Sequence, residues 1–296
     1  MKQSARLILL VLSLVLVGGH FAKGQQDESE EVDADSTIDV DEQNGTNQPS
    51  RVGRLIGGVP VTSANQPYLA EMNLISDKRY FCIGAVINST TVLTSASALR
   101  SAGNITSILV NVGSNPSFAA SRLFYFVSYA LHSGFNPTTL ENDVAIITIN
   151  GTFAGVPNVN PIAIATTEIA VSTTNRTQCL VLGWTETGAS YDMLQATYEL
   201  MTDQECAAGG ANPPSIMCAK PTGGYACYFD GGAPLVCNGQ LYGVLTAQTN
   251  CTSSNPPTFQ KFAKLPLISI PWGPATISTS NATVATLPRK NYVSCP

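Results

Sequence analysis

Histidine and tryptophan are scarce in this chain of 296 residues, with two of each. Charge is scarce too: Asp, Glu, Lys and Arg make up 12%, with 15 basic against 20 acidic residues and a net charge of −5. The missing basic excess excludes nucleic acid as a partner and a polybasic membrane face. Long apolar runs are missing as well. The longest, Leu7–Val17, falls short of the ~20 residues that span a bilayer, so no membrane partner is expected. No long helical period and no internal repeat is present, and no cofactor or metal ion is expected.

What is present begins with a leader. Lys2 and Arg6 precede that short apolar run, and Gly18, Gly19, Ala22 and Gly24 follow it. This order predicts a secretory signal peptide over 1–24. Eight cysteines fit an oxidising, extracellular setting. Seven Asn-x-Ser/Thr sequons occur, at Asn44, Asn88, Asn104, Asn150, Asn175, Asn250 and Asn281. Six are candidate glycosylation sites. Asn250 is set aside because its neighbour Cys251 is expected in a bridge.

The mature chain divides into a tail and a body. Residues 25–50 hold nine acids, from Asp27 to Glu42, and no Lys or Arg. Such a segment buries too little apolar surface to offset its ordering entropy, which predicts disorder. Arg51-Val-Gly-Arg54 then reverses the sign, so 25–54 reads as an acidic propeptide ending in a basic, exposed site. From Leu55 onward, 10 basic and 11 acidic residues leave the body almost neutral. The body carries short β-branched runs punctuated by Gly, Pro and Asn: Phe81–Ile87, Thr91–Thr94, Ser107–Val112, Asp143–Ile149 and Leu241–Thr246. This pattern predicts antiparallel strands in a barrel or sandwich.

Six motifs stand in order along the body: Arg54-Leu-Ile-Gly-Gly58, Phe81-Cys-Ile-Gly-Ala-Val-Ile87, Thr91-Val-Leu-Thr-Ser-Ala-Ser-Ala98, His132…Asn142-Asp-Val-Ala145, Cys179-Leu-Val-Leu-Gly-Trp184, and Cys227-Tyr-Phe-Asp-Gly-Gly-Ala-Pro-Leu-Val-Cys237. Together they resemble the trypsin/chymotrypsin-like serine proteases from about Arg54 to Phe262. The resemblance implies an all-β fold of two antiparallel Greek-key barrels. Pro266, Pro271 and Pro274 argue for a short or absent C-terminal helix. The peptidase-like domain is placed at 55–276 and a C-terminal extension at 277–296.

Carried over position by position, the family's base falls on Ser97, its orienting aspartate on Asp143 and its nucleophile on Gly231. The oxyanion-hole position falls on Phe229, where a side chain is expected to disturb the backbone amides. A glycine offers no nucleophile, and a serine hydroxyl accepts no proton near neutral pH. His132 is expected on a surface strand and not as a replacement base. The specificity pocket is altered at Tyr225, Thr246, Ala247 and Gln248. The resemblance also implies an activation cut after Arg54, with the new terminus at Leu55 pairing with Asp230; the alternative reading takes Arg54 and Asp230 as relics. It implies disulfides Cys179–Cys237, Cys206–Cys218 and Cys227–Cys251. Cys82 and Cys295 either pair with each other or bond another chain.

The first expectation is therefore a secreted protein that is not an enzyme: a degenerate serine protease homologue. It would regulate an extracellular proteolytic cascade, innate immune cascades among them. Its partners would be an activating trypsin-like protease and a second cascade protein. A sequestering or structural glycoprotein is one alternative. A residual serine-type endopeptidase using unexpected residues is the other.

Overall fold

The β-branched runs form strands. The structure, a computed structural model, describes residues 54–75, 80–101, 108–113, 122–187, 190–207, 212–246 and 256–270. The signal peptide, the acidic tail, Ala247, Gln248, Cys251, Cys295, Asn44, Asn104 and Asn281 lie outside the described residues.

The first barrel is closed by β2 (Leu69–Leu74), β3 (Tyr80–Val86), β4 (Thr91–Thr94), β5 (Ile108–Val112), β6 (Arg122–Leu131) and β7 (Ala145–Ile149), in the order β2-β3-β4-β7-β6-β5. Its interior is filled by Met72, Phe81, Val92, Ile108, Val110 and Ile147, all fully buried. The second barrel comprises β8 (Gln178–Thr187), β9 (Ser190–Leu200), β10 (Ile216–Gly223), β11 (Pro234–Cys237), β12 (Gln240–Leu245) and β13 (Gln260–Lys264). It closes through the β9–β8 pairing. The expected architecture of two antiparallel barrels is what the chain adopts.

Strand β9 is long enough to serve two neighbours on one side. Its last residues, Thr197–Leu200, pair with β10, while Leu194 and Gln195 pair with the two-residue strand β1 (Val59–Pro60). The start of the body thus completes the edge of the second barrel. Gly58 makes that approach possible, since a Cβ there would lie 2.4 Å from Leu55 Cδ2 and 2.7 Å from Gln195 O.

Among the described residues, three short helical pieces interrupt the strands: α1 (Ala96–Ser101), α2 (Asp203–Cys206) and a 3₁₀ turn at Leu265–Leu267. Ser95 caps α1 by accepting the Ala98 N–H at 3.1 Å. Thr202 and Glu205 form a reciprocal capping box on α2. Two of the expected disulfides are formed. Cys179–Cys237 links directly paired residues of β8 and β11, and Cys206–Cys218 ties α2 to β10. Cys227 is disulfide-bonded as well, while its expected partner, Cys251, is outside the described residues. Cys82 is fully buried in the first barrel. The sequons at Asn150 and Asn175 are exposed and that at Asn88 is half-buried.

Candidate active site

The loop leading into β7 delivers Asp143 to the interior. Leu140 and Asn142 adopt left-handed backbone angles, φ 63° and 51°, which asparagine tolerates better than most residues. The Asn142 N–H donates to Ser215 Oγ of the second barrel at 3.1 Å, fixing the turn from the other side. Asp143 is fully buried. Its Oδ1 accepts the Ser97 N–H at 2.7 Å, and its Oδ2 accepts the Ser97 hydroxyl at 2.7 Å. The Ser95 hydroxyl reaches both carboxylate oxygens, at 3.1 and 3.0 Å, and lies 2.8 Å from Ser97 Oγ. Burial pushes the carboxyl up to about 6, while donors from Ser97, Ser95 and the Ala96 amide restrain the rise.

Ser97 and Asp143, assigned to neighbouring roles from the sequence, therefore touch. Ser95 completes the cluster and was missed. The signal that could have found it is local: a serine directly before a helix start is a capping position, and α1 begins at Ala96. Thr246 does not join them. Its hydroxyl donates to Lys261 O at 3.0 Å. His132 stays apart from this cluster, its Nδ1 accepting the Gly134 N–H at 3.0 Å and its backbone N–H donating to Val144 O.

The turn at Cys227–Gly232 forms the opposite part of the site. Gly231 is buried and gives its carbonyl to the Ile83 N–H at 3.1 Å, which ties this turn to the first barrel. Gly232 makes the contact possible: with φ 89°, a Cβ would fall 2.1 Å from Ile83 O and 2.2 Å from Thr94 Oγ1. Phe229 keeps φ 68°, a left-handed conformation that glycine reaches freely and other residues reach at about 1 kcal/mol or more. The side chain has not moved this backbone into the ordinary region. Its ring instead packs against both cores and meets Tyr80 edge-on at 6.4 Å.

Asp230 is fully buried. Its Oδ2 accepts the Cys227 N–H at 2.8 Å, and its Oδ1 is buried without a hydrogen-bond partner among the described residues. Burial pushes this carboxyl up to about 8, against the Cys227 amide and the Arg54 charge, which lower it. Leu55 is fully buried beside it. Tyr225, the expected pocket-floor residue, pairs through its backbone with Ile56 at 2.9 Å in both directions. Among the described residues no group of His, Cys, Asp and Glu could hold a metal ion, and no helix is long and apolar enough to cross a membrane.

Residues 55–265 match the Trypsin family model. The chain belongs to the trypsin family. Among its trypsin relatives, Trypsin alpha-4 of Lucilia cuprina is 30% identical, covering 71% of this chain and 83% of the relative. Trypsin delta of Drosophila melanogaster is 29% identical, covering 71% and 84%. A Xenopus laevis trypsin is 29% identical over 69% and 84%. These similarities correct one expectation. The reading of the chain as no enzyme rested on two positions carried over from the trypsin pattern. The proteins that it resembles across both barrels are named trypsins, so the better-supported class is a catalytic serine endopeptidase.

Proposed function

We propose that the chain is a secreted serine-type endopeptidase of residual power, with Ser97 as the reacting hydroxyl and Asp143 as its proton acceptor. The 2.7 Å bond from Ser97 Oγ to Asp143 Oδ2 carries this reading. Membership of the trypsin family supports the reaction class. Gly231 has no side chain, so the attacking oxygen must come from elsewhere. Ser97 is half-buried, not sealed, and already directs its proton at a carboxylate.

In the proposed step, Ser97 Oγ bonds to the substrate carbonyl carbon as its proton passes to Asp143 Oδ2. Asp143 then returns that proton to the departing amine as the peptide C–N bond breaks, leaving an ester on Ser97. Water, giving a proton to the same carboxylate, releases the acid, and the proton returns to Ser97. The Ser95 hydroxyl and Ser97 amide hold the carboxylate in place throughout. A carboxylate held at about 6 is ionised at neutral pH yet more basic than an exposed aspartate, which suits the role of acceptor. No hydroxymethyl at 231 and no imidazole contribute, so turnover is expected to be about 10⁶-fold below that of an intact triad.

Under the same proposal, residues 1–24 direct secretion and a trypsin-like protease cuts after Arg54. The cut releases the acidic segment and converts the Leu55 nitrogen to an ammonium beside Asp230. Other proteins of an extracellular proteolytic cascade would be its partners. The test is covalent. A fluorophosphonate should label the purified protein at one site, located to Ser97 by peptide mapping and lost in Ser97→Ala and Asp143→Asn. Prolonged exposure that leaves Ser97 unmodified in folded protein would end this reading.

A further inference from the structure

We propose that the outer face of β6 is covered by a glycan carried on Asn150, with its first sugar lying over the ring of Tyr125. This rests on the secreted reading above, because only a chain on the secretory route meets the sugar donor. It does not depend on whether Ser97 reacts.

Strand β6 lies inside the closed first barrel, paired with β5 through Arg122–Tyr125 and with β7 through Phe126–Leu131. A closed barrel has no free edge, so a further strand has nowhere to add. What β6 offers outward is side chains, and three of them are apolar and open to solvent. Leu123 is 40% exposed, Tyr125 63% and Val127 46%. Phe124 turns inward between the first two. A contiguous apolar patch of this kind marks a surface that meets something.

The register brings Asn150 to this patch. Phe126 faces Ile149, so Tyr125 and Asn150 are the next opposed pair, and the Asn150 N–H donates to Tyr125 O at 2.8 Å. Opposed residues of antiparallel strands share a face, with Cβ atoms about 5 Å apart. The next residue fixes the side: a Cβ at Gly151 would lie 3.3 Å from Phe124 Cε1, on the inner face. Asn150 is exposed and opens the sequon Asn150-Gly-Thr152. On its other flank Tyr125 is opposed by Leu109, which is buried.

The two other sequons among the described residues differ. Asn88 is half-buried, and its Oδ1 accepts the Thr90 N–H at 2.9 Å and the Thr90 hydroxyl at 3.3 Å. Asn175 closes the polar turn Ser172-Thr-Thr-Asn175, donating its N–H to Ser172 Oγ at 2.9 Å. Of the three, Asn150 has an exposed ring as its cross-strand neighbour.

The modification takes one co-reactant, an oligosaccharide joined to a lipid pyrophosphate. Asn150 Nδ2 bonds to the anomeric carbon, and the bond from that carbon to the phosphate oxygen breaks. The lipid pyrophosphate leaves with the electron pair, and the amide gives up one proton. A pyranose offers C–H groups on its faces and hydroxyls round its rim, and the electron-rich face of a tyrosine ring suits the former. The tether removes the entropy loss of association, so weak contacts suffice to hold the sugar on the ring.

The full chain, secreted from a eukaryotic host, tests this. Glycopeptide mapping should find Asn150 occupied in most molecules. Stripping the sugars enzymatically from the folded protein, or Asn150→Gln, should raise the fluorescence of anilinonaphthalene sulfonate about threefold, since this dye binds exposed apolar surface. Adding Tyr125→Thr and Val127→Thr should return it to the glycosylated level, while trimming to the first sugar, or Asn175→Gln, should leave it low. A secreted, folded chain with Asn150 bare would overturn the cover, as would dye binding unmoved by loss of the Asn150 sugar or still high after Tyr125→Thr and Val127→Thr. A bare chain that sediments as a dimer would give the face to a second copy and overturn it too. A chain retained in the cell without sugar would sink the secreted reading and this inference with it, so where the protein is found separates the two failures. Enzymatic stripping acts on protein already folded, so the test decides even where Asn150→Gln fails to leave the cell.

Discussion

Two aspartates, one at the rim of each barrel, are fully buried yet are treated in opposite ways. Asp143 is surrounded by donors: two from Ser97, the Ser95 hydroxyl and the Ala96 amide. Asp230 has the Cys227 amide on one oxygen and no hydrogen bond on the other among the described residues. The first is pushed up only to about 6 and the second to about 8. Equal burial thus gives unequal proton affinity, and the count of donors decides which carboxylate carries charge at neutral pH. The donor-rich aspartate is equipped for proton transfer. The donor-poor one holds its proton more tightly, even with the Arg54 charge acting on it.

The harshest way to break this comparison is to separate the two rims. Gly232→Ala would drive a Cβ into Ile83 O and Thr94 Oγ1 at a positive φ, and should cost about 3 kcal/mol or more. A denaturant melt losing less than about 1 kcal/mol would show that the rims are not rigidly joined there.

A gentler test sharpens the comparison through pH. Both carboxyls have folded values above their ordinary ones, so between about pH 4 and 8 the folded chain binds more protons than the unfolded chain. Stability contributed by these groups is therefore greatest in acid and falls as pH rises through that window. Asp143→Asn should flatten the fall up to about pH 6, and Asp230→Asn the part extending to about pH 8. Thermal midpoints taken across the window read both. Identical profiles for the two variants would remove the distinction between the aspartates.

The smallest effect is expected for Ser95→Ala. It takes one donor from Asp143 and the cap from α1, and should cost about 1 kcal/mol. The carboxyl of Asp143, with fewer donors, should then titrate above its present value. Carbon-detected NMR of the aspartates would register the move.

Much of the fold was legible because its strands alternate with turn residues at short intervals. Thr91–Thr94 is a strand as read, and Phe81–Ile87 is shifted by one residue to Tyr80–Val86. Strand β6 was not singled out, for a physical reason. Leu123, Tyr125, Val127 and Tyr129 stand exposed on its outer face while Phe124 and Ser128 point inward. Apolar residues therefore occupy both faces, and the usual alternation is blurred. At the site, Asp143 and Ser97 were identifiable because motif order fixed their positions. Ser95 was one small polar residue among several in Thr94-Ser-Ala-Ser97, and its value depends on an aspartate 48 residues away. The contact of the Arg54 guanidinium with the Tyr80 ring, 4.3 Å from its centre, was equally hidden, since nothing local links a basic cut site to a ring on β3.

The close approach at Gly58 works as a ruler for anyone re-engineering this chain. Leu55 reaches its slot only because the intervening residues span one fixed distance to Val59, with no side chain at 58 to hold the backbone off β9. An affinity handle fused upstream of Arg54 leaves that spacing alone. A single residue inserted between Leu55 and Val59 would slide the leucine out of register with Trp184, and the error would surface at the turn that carries Asp230.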